Sequence, residues 1–415
     1  MASSELRAPK GTYDVLPEQA DARHAVESAA ARILGGAGFR RIETPIIEHT
    51  EVFARGVGAA TDIVSKEMYS FEDAGDRSLT LRPEGTAPVM RAYHEHGLHR
   101  EPQPVKLWYF GPFFRRERPQ AGRYRQFWQL GAETIGSDDP AADAEVILLL
   151  AAILDELGVS QTVLKLGTLG TPERRADYRD RLVSYLREHE DKLSAEVKAR
   201  IDENPLRAFD SSDPGTAAVM EAAPRLIDHL DQEDLDHFEQ VKAMLDAAGL
   251  AYEVDTTLVR GLDYYTRTLF EFSSSALGAQ SGVGGGGRYD RLAEALGAKA
   301  TPGVGFAAGI ERILLAGDQL ATHDSRRPID LYVATTGAEA VALITEARRA
   351  GLAAELELAG RSLKGALKQA ARVGARFVLL ADEGETMLKD METGEQESVS
   401  TDAVVARILR ERHLS

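Results

Sequence analysis

Two aromatic-rich runs, Val105–Phe114 and Gln126–Glu133, flank a linker with Pro119 and Gly122 near its tip, and no other stretch limits the fold of the chain so tightly. Aromatic and β-branched residues bounded by proline and glycine read as a β-hairpin. Between residues 113 and 126 the hairpin holds five arginines and one glutamate. Gathering that much positive charge is costly unless an anion answers it. The planar guanidinium fork suits phosphate oxygens. On the returning strand Gln129 and Glu133 can share one face of a sheet. An amide and a carboxylate on an aromatic strand are costly to bury without partners, so both are candidates for ligand recognition.

Composition narrows the setting. At about 150 residues per domain, 415 residues suggest two or three domains. With 43% hydrophobic and 28% charged residues, each can bury a core, and wholesale disorder is excluded. The absence of cysteine excludes disulfides, thiolate zinc sites, iron–sulfur clusters and a cysteine nucleophile. No run of about 18 apolar residues is present to span a membrane. Met1–Arg7 lacks the apolar core of a signal peptide, so the chain is expected to be a cytoplasmic enzyme. A formal net charge of −17 argues against a general nucleic-acid binder but allows a local basic surface.

Hydrophobic periodicity divides the chain. Residues 18–38 read as an amphipathic helix ending at Gly35, Gly36 and Gly38. Phe39–Glu48 is a short extended piece, 66–137 is strand-like, and 140–157 is a helix. The block 172–248 is helical and polar; within 181–250 sixteen acids outnumber eight bases, so it is expected to lie on the surface as an insertion. Strands resume at 251–254 and 268–272, the glycines of 281–287 lead into a helix, and 303–316 is expected to be another helix. After a polar linker at 323–328, strands and helices alternate at 329–334, 337–350, 353–357, 362–373 and 377–380, which implies a small α/β domain of mixed or parallel sheet.

The hairpin resembles motif 2 of the class II aminoacyl-tRNA synthetases. Its run Arg115-Arg116-Glu117-Arg118-Pro119-Gln120-Ala121-Gly122-Arg123-Tyr124-Arg125-Gln126-Phe127 resembles the histidyl family in particular. Leu258-Val259-Arg260-Gly261-Leu262-Asp263-Tyr264-Tyr265-Thr266 and Gly285-Gly286-Gly287-Arg288-Tyr289-Asp290 resemble that family's two histidine-specific motifs. Gly303–Arg312 resembles motif 3, and Thr44-Pro45-Ile46 with its preceding helix resembles motif 1, which in the family builds the dimer. The five matches follow the family's order over nearly the whole chain. The resemblance implies an α+β fold: an antiparallel sheet flanked by helices in a catalytic domain over 1–325, with the helical insertion at about 172–248, and a C-terminal α/β anticodon-binding domain over 329–415.

It also implies an activity, in which histidine and ATP give histidyl-adenylate and pyrophosphate, and the acyl group then passes to the 3′ end of tRNA(His). The substrate carboxylate attacks the α-phosphorus, so the chemistry asks for positioning and cationic stabilisation rather than a protein nucleophile. By resemblance Arg115 and Arg260 are catalytic: Arg115 holds the α-phosphate and the attacking carboxylate, and Arg260 approaches the α-phosphate from the other side, where other class II enzymes place a metal. Phe127 and Arg312, with Arg115, bind ATP, the adenine lying between ring and guanidinium. Magnesium enters on the β- and γ-phosphates, and no protein side chain is assigned to a metal. Glu84, Thr86 and Gln129 match the family's positions for the α-ammonium, and Glu133 and Tyr265 match the pair for the imidazole, with Tyr264 and Tyr289 lining the pocket. Gln120, Arg123 and Arg125 are candidates for the acceptor end of tRNA. A homodimer is implied.

In the C-terminal domain Lys364, Lys368 and Arg372 form a stripe with Arg361 and Arg376 at its ends, a candidate tRNA surface if 362–373 is a helix capped by Ser362. Two decoys are set aside. Gly282–Gly287 spells a dinucleotide fingerprint but lacks the preceding strand core. His94, His96 and His99 match no zinc spacing and read as surface residues. Trp128, where bacterial family members often carry histidine, and Arg291, where glycine is common, depart from the pattern. A non-catalytic regulatory paralogue would lack the C-terminal domain and Arg260; a synthetase for threonine or proline would lack Arg260–Tyr265.

Overall fold

The computed structural model describes residues 6–59, 61–202, 205–258, 261–317, 328–382 and 385–412. They form two compact units, one before and one after the segment 318–327.

Among the described residues the first unit is built on an eight-stranded sheet in the order Arg40–Arg41, Val105–Phe114, Gln126–Ile135, Gly303–Gly309, Gly282–Arg288, Thr266–Ser274, Thr162–Thr168, Glu253–Val254. The six central strands are antiparallel, and the two short edge strands pair in parallel. The pleat of the hairpin sorts its side chains. Trp108, Phe110, Leu130 and Ala132 face a core closed by the helices Pro17–Gly36 and Pro140–Glu156. Tyr109, Phe113 and Phe127 sit in a second core on the other side. Helix Pro17–Gly36 presents Val26, Ala30 and Leu34 at four-residue steps, all fully buried. Helix Pro140–Glu156 starts at Asp139, whose side chain accepts from the Ala141 N–H at 2.8 Å.

Three expectations need correction. Thr86–Glu95 is a helix inside the region read as strand-like. It starts behind Pro83-Glu84-Gly85, and Glu84 caps it by accepting from the N–H groups of Thr86 (2.8 Å) and Ala87 (3.0 Å). Gly282–Arg288 and Gly303–Gly309 are strands; the helix expected from 303 begins only at Ile310. Glycine is a poor strand former in general, but here neighbouring groups come too close for a side chain. A Cβ on Gly305 would lie 1.8 Å from the Glu133 carboxylate, and one on Gly286 would lie 1.9 Å from the Gly305 carbonyl. Finally, helix Gln232–Ala247, the last of the helical block, is exposed on one face but buries the other. Phe238, Val241 and Leu245 are buried in the same core as helix Pro140–Glu156.

The second unit is a five-stranded sheet in the order Ala354–Leu356, Leu331–Val333, Phe377–Asp382, Glu385–Asp390, Gln396–Ser398. The first three strands are parallel and the last pairings antiparallel. The hairpin after 382 and the helix Thr401–Arg412 add to what the sequence pattern indicated.

Candidate active site

One face of strand Gln126–Ile135 carries Phe127, Gln129, Gly131 and Glu133. Across the neighbouring strand Glu133 faces Gly305 and Gln129 faces Gly309, and one strand further Gly305 faces Gly287. This glycine-rich floor, with only the Ala307 methyl between Gly305 and Gly309, underlies a cavity of about 500 Å³, lined also by Glu84, Thr86, Arg115, Phe127, Tyr264, Tyr265, Tyr289 and Arg312. The structure thus brings together most of the residues singled out for histidine and ATP. The second unit has a wider hollow of about 820 Å³ beside helix Ala338–Arg349, but Val341, Thr345, Leu356 and Leu358 give it no comparable convergence of polar groups.

The deep end of the cavity is built for a polar ring. Glu133 is fully buried behind the wall, and its carboxylate accepts from the hydroxyls of Tyr289 (2.6 Å), Thr86 (2.8 Å) and Tyr109 (3.4 Å). Burial pushes its pKa up to about 8, and the hydrogen bonds from Tyr289 and Thr86 offset only part of this. Burial also raises Tyr109, Tyr264 and Tyr289 well above the usual phenol range, so all three remain protonated donors. The Tyr264 ring lies tilted against Tyr265, with centroids 4.7 Å apart, and meets Tyr289 edge-on at 5.9 Å. Nearer the helix cap, Glu84 is buried, its pKa raised by desolvation, with the Tyr264 hydroxyl at 3.4 Å. The side-chain oxygen of Gln129 is buried and has no hydrogen-bond partner among the described residues. An unsatisfied buried acceptor lining the cavity is a place for a donor such as an ammonium.

The outer end is cationic. Arg115 donates to the Pro83 carbonyl at 2.9 Å and lies over the Phe127 ring at 5.3 Å. Arg312 donates to the carbonyls of Gly122, at 3.3 Å, and Gly282, which places it beside the hairpin linker. Burial and the neighbouring Arg123 both lower its pKa. Arg260 lies outside the described residues. Of the hairpin-tip residues, Gln120 and Arg123 are exposed, and Arg123 also lies 3.3 Å from Glu117. Arg125 differs, because its guanidinium holds the Lys10 carbonyl at 3.3 Å and the Glu117 carbonyl at 3.4 Å. In the second unit Lys364, Lys368 and Arg372 are exposed along helix Leu363–Arg372, capped by Ser362, and among the described residues no carboxylate pairs with them. Arg361 and Arg376, at the ends of the stripe, are instead paired with Glu357 and with Asp390.

The departures lie away from the cavity. Trp128 points to the opposite sheet face under Arg23 (4.5 Å), its N–H held by Glu311 at 3.1 Å. Arg291 pairs on the surface with Glu173 and Glu294. The string Gly282–Gly287 is a central strand, not a phosphate loop opening a helix. His94 is half-buried and stacks on His99 at 5.6 Å, so it is less exposed than its sequence context suggested. Sequence reasoning gave no role to Tyr109, although its strand context was a signal, and none to Arg175, whose partners are main-chain carbonyls about ninety positions away and leave no motif.

A nucleotide-sized cavity on an antiparallel sheet, with an arginine-bearing hairpin over one end, defines a class II aminoacyl-tRNA synthetase. The histidyl-tRNA synthetase family model matches residues 11–313, and an anticodon binding domain model matches residues 330–411. The chain belongs to the histidyl-tRNA synthetase family. It is 48% identical over 402 residues to a histidine–tRNA ligase of Desulforamulus reducens, covering 94% of this chain and 96% of that one. Among solved structures it resembles apo Staphylococcus aureus histidyl-tRNA synthetase, with a TM-score of 0.79, 36% identity and coverage of 97% of this chain and 100% of that one. A Bacillus halodurans protein described as an ATP phosphoribosyltransferase regulatory subunit/histidyl-tRNA synthetase shares the fold, at TM-score 0.64 and 23% identity, covering 90% and 97%.

Proposed function

We propose that this chain is a histidine–tRNA ligase that activates histidine with ATP and transfers it to the 3′ end of tRNA(His). The observation that carries the specificity is the buried Glu133 carboxylate with its three hydroxyl partners and the facing Gly305. A site that bonds both edges of an imidazole rejects isosteres, because its polar groups would be left unpaired. In this reading Glu133 and Tyr265 take the two ring nitrogens, Tyr264 and Tyr289 shape the pocket, and Glu84, Thr86 and Gln129 hold the α-ammonium. The unpartnered Gln129 oxygen supports that last assignment.

Arg115 then steadies the α-phosphate while the carboxylate attacks, and Arg260 approaches it from the specific motif; removing one such group costs on the order of a hundredfold or more in rate. Adenine lies between Phe127 and Arg312. Magnesium enters bound to ATP. Among the described residues no group of three or more acids or histidines could hold an ion alone, and Glu117 and Glu271, two of the carboxylates at the cavity, would suit one carried on phosphate oxygens. The hairpin tip, through Gln120 and Arg123, and the stripe Lys364, Lys368 and Arg372 contact tRNA. Arg125 takes part through the loop it braces.

Among the described residues no helix is long and apolar enough to cross a membrane. The reaction fits the cytoplasm, and a homodimer fits the exposed Ile46, Ile47 and Phe71 around the three-stranded sheet Ile47–His49, Ser78–Leu81, Tyr69–Glu72. Pyrophosphate exchange with each of the twenty amino acids, ATP and magnesium is the test. Exchange with histidine alone is expected. Exchange with threonine or proline instead removes the specificity, and no exchange favours the regulatory reading.

A further inference from the structure

The helical block 172–247 meets the histidine pocket from behind. The turn Gly261–Tyr265 delivers Tyr264 and Tyr265 to the cavity, and strand Thr266–Ser274 follows it directly. On one side the Asp263 N–H donates to the Val57 carbonyl at 3.0 Å. On the other side the Arg175 guanidinium, from helix Pro172–Glu188, donates to the carbonyl of Tyr265 at 2.8 Å and reaches that of Asp263 at 3.4 Å. Buried main-chain carbonyls need donors, and the Arg175 guanidinium supplies them at this turn.

A second anchor sits next along the chain. Arg267 is a non-glycine residue with φ of 41°, a conformation that persists only where its surroundings hold it. Its N–H donates to the Gly170 carbonyl at 2.9 Å, and its carbonyl accepts from Leu169 at 2.7 Å. Its guanidinium donates to Asp234 at 2.9 Å, and the other Asp234 oxygen accepts from the Thr171 N–H at 2.9 Å. Asp234 belongs to helix Gln232–Ala247 and is buried. Two helices of the block, Pro172–Glu188 and Gln232–Ala247, thus bond the same five-residue stretch, Asp263 to Arg267.

We propose that the helical block clamps the imidazole pocket, and that Arg175 is the positioning residue of that clamp, setting Tyr264 and Tyr265 against Glu133 without touching histidine itself. The inference rests on the histidine reading above. A residue that only held the fold would alter all substrates together; a clamp on this turn acts on histidine and spares ATP, because the adenine side is built from the hairpin and Arg312.

The test compares the full-length wild type with Arg175→Met, which keeps the stem and removes the donors, and Arg175→Lys, which restores a single donor. Pyrophosphate exchange is read with histidine varied at saturating ATP and then the reverse, beside thermal melting. Arg175→Met should raise KM for histidine about tenfold, the scale of one charged hydrogen bond, with KM for ATP within about twofold of wild type. Arg175→Lys should recover part of the loss. Should Arg175→Met not fold, Arg175→Gln, which also retains a donor, reads the same split. An unchanged KM for histidine, or both KM values rising together with a lowered Tm, overturns the clamp. Wild-type protein that does not exchange with histidine overturns the functional reading instead.

Discussion

Glu133 holds its proton well into the neutral range, and this has two consequences of opposite kind. It accepts an imidazole N–H more strongly as the carboxylate than as the neutral acid, so KM for histidine should fall between pH 7 and 8.5 as Glu133 titrates at about 8. Exchange kinetics at saturating ATP check this, and a flat profile would remove Glu133 from ring recognition. For stability the sign is reversed. Its folded pKa is raised from the ordinary 4.5 to about 8, so its contribution is full below 4.5 and is lost as pH rises through 8. Glu133→Gln abolishes this titration, so Tm of that variant should vary less between pH 5 and 8 than Tm of the wild type, while histidine-dependent exchange falls at least about a hundredfold.

Among the elements, helix Thr86–Glu95 and the glycine strands show how the site and the fold share residues. Glu84 faces the cavity and also caps the helix, so Glu84→Ala should cost about 1 kcal/mol and lower Tm by roughly 2–4 °C in thermal melts, in addition to weakening histidine binding. Gly305→Ala places a methyl group against Glu133 and the Ala132 carbonyl, and it should abolish histidine exchange without abolishing ATP binding measured by calorimetry. These elements also mark where the sequence was readable. The aromatic hairpin was plain because its pattern serves its own local packing, and Gln129 and Glu133 stood out as polar groups on an apolar strand. Helix Thr86–Glu95 was hidden because its cap is a glutamate within the Pro83–Gly85 turn, one residue before the cap position, rather than a serine or aspartate at that position. The glycine strands were misread because their sheet positions are dictated by partners on distant strands, which local preference does not register. Arg175 was unreadable for the same reason, since carbonyls carry no side-chain signature.

For the whole molecule, the net charge of −17 is not spread evenly. The stripe Lys364, Lys368 and Arg372, unpaired among the described residues, is a local exception on an acidic chain, and phosphate contacts of this kind are sensitive to salt. Replacing all three by glutamine should raise KM for tRNA and flatten its dependence on salt, leaving pyrophosphate exchange untouched; an unaltered aminoacylation KM would clear the stripe of any such role. The lane formed by Gly287, Gly305 and Gly309 sets a different limit on the molecule. That floor offers little to trim beyond the Ala307 methyl, so a bulkier amino-acid analogue gains little room there. Room must come from Tyr264, Tyr265 or Tyr289, and each of those holds neighbours in place, which makes the enzyme hard to retarget by small steps.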